Sequence, residues 1–274
     1  MSANEAGLLD GYEDHFDGIT VTQRHYGDIS PEDFHKRLSL SLDTWKRNGR
    51  RGIWLRIPHD QAKLIPIATE LGFSFHHTRD DYLMLTKWLP TDQPNKLPSF
   101  ATHYVGVAGV VVNEKNEFLL VQEKWLRNRS IILWKFPGGM ADLGENLSQT
   151  AIRETFEETG IKTEFVSVLM FRHMHDYHFG AGDLYFSCLL RPLNTDVTID
   201  TTEIAAVKWM DVNEYIADPN TTAVNRMIAE SYRDGMKSGY FIYPECTPHY
   251  LQNKAAQVVY RVKADGLGQP KANM

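Results

Sequence analysis

The chain has 274 residues, of which 42% are hydrophobic and 23% charged, and its formal net charge is −6. That length leaves room for two domains, and the mildly acidic balance argues against a nucleic-acid partner. Two cysteines, Cys188 and Cys246, are too few to indicate a disulfide framework. No apolar run approaches the ~20 residues of a membrane span, and residues 1–14 lack the pattern of a signal peptide. We therefore expect a protein of the cytoplasm, with the nucleus as the alternative.

The first third of the chain predicts a small α/β domain in the order β-α-β-α-β-β. Strands are predicted at 18–24, 53–57, 73–78 and 82–88, and a second helix at 61–71. Ser30 is the predicted cap of the first helix, with Pro31 in its first turn and Asn48-Gly49 at its end. Pro66 fits poorly inside the second helix. This order resembles part of an acetyltransferase-like fold, although no glycine-rich cofactor loop accompanies it.

A linker is predicted at residues 90–101, because three prolines stand there among polar neighbours. It divides the chain into a domain at 1–92 and a second domain at 101–264. In the second domain, apolar runs at 105–112 and 118–122 predict a hairpin that turns at residues 113–116. Further strands are predicted at 134–136, 164–172, 184–190 and 205–210, and helices at 212–217 and 221–233. The tail from Asp265 is expected to fray.

Carboxylates at helical spacing are the most informative feature of the second domain. Glu154, Glu157 and Glu158 fall at i, i+3 and i+4, which places them on one helix face. Such like charges repel, and oxygen-only clusters suit Mg²⁺ or Mn²⁺. Arg153, on a flank of this face, is expected to reach back to Glu145. The alternative is an ordinary solvated acidic helix.

The flanks of this predicted helix support a defined site. Pro137-Gly138-Gly139 is a turn signal at which the backbone can approach a ligand closely. Ser148 is the predicted N-terminal cap, and Gly160 is the predicted C-terminal cap.

The segment resembles the Nudix box, Gly-x5-Glu-x7-Arg-Glu-U-x-Glu-Glu-x-Gly-U, in which U is aliphatic. The residues in register are Gly139, Glu145, Arg153, Glu154, Glu157, Glu158, Gly160 and Ile161. Thr155 departs from the pattern, because it stands where an aliphatic residue is usual. The resemblance implies an α/β/α sandwich around a mixed sheet. It also implies hydrolysis of a nucleoside diphosphate linked to another group, with Mg²⁺ or Mn²⁺ held by the box carboxylates Glu154, Glu157 and Glu158.

A narrower resemblance covers residues 17–262. Stretches at 52–58, 71–77 and 82–85 are similar to the N-terminal domain of a two-domain Nudix subgroup. That subgroup includes plant ADP-ribose/NADH pyrophosphatases and the animal Nudix protein encoded antisense to a fibroblast growth factor. It implies ADP-ribose and NADH as substrates and a homodimer. Two alternatives stay open. One is a Nudix hydrolase of FAD, an oxidised nucleotide, diphosphoinositol polyphosphate or capped RNA, and the other is a binding module without turnover.

Roles are assigned to residues on and around the box. The predicted catalytic residues are Glu157, Glu203, Arg153 and Glu145, and the predicted substrate-binding residues are Arg172, His175, Gly138 and Gly139. Glu203 is the candidate general base. It lies in the loop before the predicted strand at 205–210, and Nudix enzymes often take a general base from that loop. Arg172 is the candidate phosphate ligand, because guanidinium pairs bidentately with phosphoryl oxygens. The alternative for Glu203 is an exposed loop carboxylate without a catalytic role, and the alternative for Arg172 is an ordinary salt bridge.

Histidines and aromatic residues near these positions have two interpretations each. His173, His175 and His178 suggest a zinc site, but the absence of a nearby cysteine favours polar residues that line a pocket. Trp134 or Phe100 is a candidate to stack on adenine, and burial in the core is the preferred interpretation of Trp134.

Overall fold

The computed structural model describes residues 7–124, 133–249 and 256–264. The chain divides into two compact units, Met1–Ala101 and Thr102–Met274. Between Trp88 and His103, a stretch that is described throughout, there is no helix or strand. The tail from Asp265 lies outside the described residues.

The first unit is a five-stranded sheet covered by helices. Its elements are β1 (Tyr12–Glu13), β2 (Ile19–Val21), α1 (Gln23–Tyr26), α2 (Pro31–Arg47), β3 (Gly52–Pro58), a 3-10 helix (His59–Leu64), α3 (Ile65–Glu70), β4 (Ser74–Arg79) and β5 (Tyr82–Trp88). The strand order is β1-β2-β3-β5-β4, and only the β2–β3 pair is parallel. The predicted α/β character of this unit is confirmed, while its likeness to an acetyltransferase stays a prediction.

Helix α2 begins and ends as its sequence predicts. Asp33 N donates to Ser30 Oγ at 3.1 Å, and Pro31 needs no backbone partner in the first turn. Phe34 and Leu38 are fully buried on its inner face. Burial of each side chain contributes about 1.5–3 kcal/mol, which anchors the helix to the sheet.

Two predicted elements of the first unit are wrong in extent. The predicted helix at 61–71 is a 3-10 helix followed by α3, because Pro66 is accepted only in the first turn of a new helix. The predicted strand at 18–24 stops at Val21, since α1 starts at Gln23. Thr22 N donates to His25 Nδ1 at 3.0 Å, which turns the chain out of the sheet.

The second unit contains the larger sheet and the longer helices. Its elements are β6 (His103–Val111), β7 (Glu117–Glu123), β8 (Gly138–Met140), α4 (Leu147–Thr159), β9 (Thr163–His178), β10 (Ala181–Pro192), β11 (Ile204–Asp211), α5 (Val212–Ala217), α6 (Ala223–Ser238), β12 (Tyr240–Thr247) and β13 (Gln257–Ala264). Six strands form one mixed sheet in the order β13-β12-β9-β10-β6-β8, and β7 pairs with β11.

Helices cover both faces of the mixed sheet. On one face, Ala151 of α4 packs in a cluster with Val107, Val111 and Leu190. On the other face, residues of α5 and α6 pack in a second cluster that includes Ala108 and Val110 of β6. The α/β/α sandwich predicted from the Nudix resemblance is therefore confirmed.

The hairpin predicted at 105–122 is wrong beyond its turn. Asn113 Oδ1 accepts hydrogen bonds from Lys115 N at 2.9 Å and Glu117 N at 3.0 Å, which stabilises the reversal. The two strands meet at the single bridge Val112–Phe118 and then separate, β6 to β10 and β8, and β7 to β11. The pattern of apolar residues within each strand does not indicate which distant strand it pairs with.

Other boundaries in the second unit shift for identifiable reasons. The cap of α4 is Asn146 rather than Ser148, because Asn146 N donates to the Gln149 side chain at 2.8 Å and starts the helix earlier. The predicted strand at 134–136 is one bridge, Val121–Lys135. Strands β12 and β13 were not predicted.

Among the described residues, no helix combines the length and apolar character needed to cross a membrane.

Candidate active site

Glycines bring the β8 backbone close to the acidic face of α4. A Cβ on Gly139 would lie 2.5 Å from Glu154 Cδ, so any side chain there would displace the carboxylate. A Cβ on Gly138 would overlap the Val107 carbonyl oxygen. At the other end, Gly160 has φ 70°, and this left-handed conformation ends α4 as predicted. Gly138 and Gly139 thus act here through close packing against β6 and Glu154.

Arg153 holds three carboxylates and a carbonyl together. Its Nε and Nη2 donate to the two oxygens of Glu145 at 2.8 and 2.9 Å, so the predicted contact is present and bidentate. Its Nη1 donates to Glu154 at 2.8 Å and to Glu157 at 3.1 Å. Its Nη2 also donates to Met140 O at 3.1 Å. One guanidinium therefore ties the loop before α4 to the acidic face of the helix.

Glu145, in the loop before α4, accepts hydrogen bonds from three neighbouring residues. Besides Arg153, its Oε2 accepts hydrogen bonds from Asp142 N at 3.0 Å and Thr150 Oγ1 at 2.9 Å. These contacts, with Arg153 the largest cause, lower the pKa of Glu145 to about 2. Glu145 consequently stays ionised and anchors the loop.

The three carboxylates predicted to hold metal lie in different environments. Glu158 is 7% exposed, Gly138 N donates to its Oε2 at 3.2 Å, and burial raises its pKa to about 7. Burial also raises the pKa of Glu154, against the lowering effect of Arg153. The Glu157 side chain is 55% exposed. The alternative of a uniformly solvated acidic face does not describe this helix, because Glu158 is buried at a cost in desolvation.

A cavity of about 310 Å³ opens beside Glu158, and Glu203 lines it. Pairing of Ile204 with Glu123 brings the loop before β11 to the end of β7. Lys124 N donates to Glu203 O at 2.8 Å and fixes that loop. The structure therefore brings the predicted base and a predicted metal ligand to one cavity.

Glu123 lines the same cavity, and sequence reasoning assigned it no role. Its carboxylate forms an ion pair with Lys135. The charges that act on Glu158 include both Lys135, which lowers its pKa, and Glu123, which raises it. In the sequence, Glu123 is recognisable only as a carboxylate at the end of an apolar strand. Its place beside the cavity depends on the pairing of β7 with β11.

Arg172 forms the salt bridge that was the alternative to phosphate binding. Its Nη2 donates to Asp183 Oδ2 at 2.5 Å, and Asp183 is 4% exposed. Its guanidinium lies 5.2 Å from the centre of the Tyr185 ring. Burial raises the pKa of Tyr185, whose charged neighbours include Arg172 and Glu158. Arg172 therefore belongs to the electrostatic neighbourhood of the box.

His175 and Arg172 lie on opposite faces of the mixed sheet. Residues 170–174 of β9 pair with 183–187 of β10 without a shift in register, so side chains alternate between the two faces of the sheet. Arg172 pairs with Tyr185, whereas His173 stands on the opposite face and its ring lies 4.4 Å from that of His175. Arg172 and His175 therefore do not share one face of the sheet, and the substrate-binding role of each stays a prediction.

Each of the two candidate adenine-stacking residues contacts another side chain within its own unit. The ring of Trp134 is half-buried, and Lys208 Nζ lies 4.4 Å from its centre. Phe100 stacks on His77 with ring centres 4.7 Å apart. Trp134 is therefore less buried than the preferred interpretation implied.

The donor set of the box suits a divalent cation of the Mg²⁺ or Mn²⁺ type. All candidate ligands are carboxylate oxygens, which such ions prefer. Glu154 and Glu158 carry raised pKa values because burial penalises their charge. A bound cation offsets that penalty, so the residues present fit the metal that the Nudix resemblance implies.

Comparison with known proteins places both units in one family. A family model described as NUDIX domain matches residues 102–231, and one described as Nudix hydrolase domain matches residues 9–89. The chain is 40% identical over 220 residues to Nudix hydrolase 2 of Arabidopsis thaliana, covering 80% of this chain and 78% of that protein. It is 38% identical over 237 residues to the human protein named nucleoside diphosphate-linked moiety X motif 6, covering 85% and 74%. The chain belongs to the Nudix hydrolase family.

Two further similarities differ in coverage. Identity to Nudix hydrolase 8 of Arabidopsis thaliana is 42% over 220 residues, and the chain spans 59% of the length of that relative. Among solved structures, a NUDIX hydrolase from Nitrosomonas europaea aligns with 48% of this chain and 89% of its own, at 26% identity and a TM-score of 0.41. The two family models and the plant and human relatives confirm the predictions of a Nudix fold, of hydrolase class and of the plant and animal subgroup.

Proposed function

We propose that the protein hydrolyses the diphosphate bond of ADP-ribose and of NADH in a reaction that depends on Mg²⁺. The products are AMP with ribose 5-phosphate, or AMP with reduced nicotinamide mononucleotide. The observation that supports hydrolysis is the cavity beside the box that both the buried Glu158 and the loop residue Glu203 line. The choice of substrates rests on the subgroup resemblance.

Each box residue has a defined part in this proposal. Glu154, Glu157 and Glu158 would hold the metal, which supplies neutralisation of phosphate charge and acidification of water. Arg153 fixes Glu154 and Glu157 through hydrogen bonds at 2.8 and 3.1 Å. Glu145 holds Arg153 and carries no proton in the reaction, because its low pKa keeps it ionised.

Glu203 is the proposed general base. Water forms a bond to one phosphorus, the bond from that phosphorus to the bridging oxygen breaks, and the proton of the water passes to Glu203. The bridging oxygen leaves with its electron pair as part of the second phosphate. Glu203 suits this role because it lies on a loop that lines the cavity and is not itself part of α4.

Arg172 is the proposed contact with the diphosphate. Its Nε is buried without a hydrogen-bond partner among the described residues, and its Nη2 is already held by Asp183. The Arg172 side chain is 32% exposed, so the part of the guanidinium that solvent reaches is open to an incoming phosphate oxygen. We assign this role to Arg172 alone, since His175 lies on the other face.

Preference for NADH over NAD⁺ follows from the charge of the nicotinamide ring. The oxidised ring is a cation and the reduced ring is neutral, so a pocket that stacks the ring without an anion beside it disfavours the oxidised form. FAD, an oxidised nucleotide, diphosphoinositol polyphosphate and capped RNA remain alternative substrates.

We place the protein in the cytoplasm, with the nucleus as the alternative. Microscopy of the tagged full chain would test this location.

A Nudix module that binds a nucleotide without turnover is the second candidate function. The experiment that separates the two is product analysis after incubation with ADP-ribose, with Mg²⁺ and with EDTA. Hydrolysis predicts equal amounts of AMP and ribose 5-phosphate with Mg²⁺ only. Saturable binding of ADP-ribose without products would instead show a binding module.

A further inference from the structure

Three histidines converge on the face of the mixed sheet opposite Arg172. They are His103 at the start of β6 and His173 and His175 on β9. One nitrogen of each ring lies within 4.8 Å of one nitrogen of each of the others. His103 Nε2 and His173 Nε2 are 2.8 Å apart. We propose that these imidazoles bind a late first-row transition-metal ion of the Zn²⁺ type, at a site separate from the carboxylates of the Nudix box.

The sheet brings these residues together across an intervening strand. β10 lies between β6 and β9, and Gly182 of β10 pairs with His103. A Cβ on Gly182 would lie 2.6 Å from His103 Cδ2 and 2.7 Å from its Nε2. Because glycine leaves this space empty, the His103 ring crosses β10 and reaches His173.

The backbone and a hydroxyl orient His103. Gly182 N donates to Thr102 O at 2.8 Å, which fixes the segment that leads into β6. Thr102 Oγ1 lies 2.9 Å from His103 Nδ1. A proton on Nδ1 that is donated to this hydroxyl leaves the Nε2 lone pair directed at His173. Metal-binding histidines are commonly held by such a second hydrogen bond.

The donor chemistry selects the class of metal. Imidazole nitrogen suits Zn²⁺, Cu²⁺ and Ni²⁺, whereas Mg²⁺ prefers oxygen. Nitrogens bound to one tetrahedral Zn²⁺ at ~2.1 Å lie about 3.4 Å apart, so small side-chain rotations close the group around an ion. Three protein ligands leave a fourth position for water.

His178 is a matched control on the same hairpin. It was a member of the zinc site that the sequence suggested, but its ring packs against Tyr177 and Tyr104 instead. His178 therefore differs from His173 in geometry while it shares the residue type, the strand and an exposed position.

The test is a titration of the full chain with Zn²⁺ in excess Mg²⁺, by calorimetry, and a parallel titration with Co²⁺ followed by visible absorption. The proposal predicts one Zn²⁺ per chain and the intense absorption of four-coordinate Co²⁺ in the wild type and in His178→Gln. His103→Gln and His173→Gln should each bind Zn²⁺ at least about tenfold more weakly and lose the Co²⁺ band. Gly182→Ala should have the same effect, since its methyl group displaces the His103 ring.

Three results would overturn the proposal. They are no stoichiometric Zn²⁺ in the wild type, unchanged binding in both His103→Gln and His173→Gln, and an equal loss in His178→Gln. Circular dichroism of each variant separates loss of the site from loss of the fold, and His103→Gln and His173→Gln keep the test valid should Gly182→Ala not fold. Hydrolysis of ADP-ribose is not the readout, so this proposal and the proposed function fail independently.

Discussion

Glu158 is a buried carboxylate of the Nudix box. It lies 7% exposed beside a cavity, accepts a hydrogen bond from Gly138 N, and has a pKa raised by burial to about 7. A carboxylate in this environment weakens the folded state unless a cation or a proton neutralises it. Its position is therefore explained by metal binding better than by stability.

Glu158→Gln should abolish turnover and leave the fold intact. Removing one metal-ligand charge is expected to lower kcat/KM by several orders of magnitude, equivalent to ~4 kcal/mol or more. Glu214→Gln, on the exposed side of α5, is the matched control and should retain activity. The measurement is kcat/KM with Mg²⁺ together with thermal unfolding, and near-wild-type turnover in Glu158→Gln would refute the ligand assignment.

The same carboxylate predicts how pH affects the metal-free protein. Its folded pKa is about 7, against an ordinary value of 4.5, so between these values the folded protein holds a proton that the unfolded chain has released. This contribution to the free energy of unfolding should decline as pH rises from 4.5 to 7. Mg²⁺ must displace that proton, so its affinity should increase over the interval from about 6 to 8.

Urea unfolding in EDTA at pH 5, 6, 7 and 8 measures the first effect, and Mg²⁺ titration at the same pH values measures the second. Glu158→Gln should flatten both profiles in this range. Glu145 gives the opposite sign, because its pKa of about 2 supplies stability that is present above 4.5 and lost as pH falls towards 2. A wild-type profile that matches Glu158→Gln from pH 5 to 8 would show that the Glu158 pKa is not raised.

At the scale of elements, α4 is held to the preceding loop by one guanidinium. Arg153 donates to Glu145, Glu154 and Glu157 and to the carbonyl of Met140. Lysine keeps the charge but lacks the planar fork that reaches several acceptors at once. Arg153 is a positioning residue, because it acts through the carboxylates that it orders.

Arg153→Lys should reduce kcat/KM by about 100-fold, or ~2.7 kcal/mol, and weaken Mg²⁺ binding. Amide hydrogen exchange in residues 138–146 should quicken, since the loop loses its bidentate anchor. Arg233→Lys on α6, where the side chain pairs with the adjacent Asp234, is the control. Unchanged exchange with lowered activity would mean that Arg153 contacts the substrate directly and does not position the loop.

Elements whose information is local were predictable, and those that depend on distant partners were not. Ser30 and Gly160 define helix ends through their own backbone neighbours, and both ends lie as predicted. The β6–β7 hairpin failed because each strand pairs with a strand more than 60 residues away in sequence.

The candidate site follows the same distinction. The box carboxylates share one helix, so their spacing sufficed to group them. Glu123 joined them only through the β7–β11 pairing. His103 reached His173 only because β10 lies between their strands and carries Gly182 at the crossing point. Periodicity along the chain does not contain this information.

At the scale of the whole molecule, we predict a homodimer, which the subgroup resemblance implies. Light scattering of the full chain at micromolar concentration should give about twice the monomer mass of 31.4 kDa. Dilution should shift the mass towards that of one chain if the dimer is reversible. A mass of one chain at every micromolar concentration would contradict the prediction.

The proposed substrates are ADP-ribose and NADH. The box carboxylates and a metal bound to them would recognise a diphosphate whatever is attached to it, so only a comparison of substrates tests this proposal. The measurement is kcat/KM for ADP-ribose, NADH, NAD⁺, FAD and diphosphoinositol polyphosphate at one Mg²⁺ concentration and one pH. We predict the highest values for ADP-ribose and NADH, with NADH above NAD⁺. If ADP-ribose and NADH are both slower than the other compounds, the substrate assignment is contradicted and only membership of the Nudix hydrolase family stands.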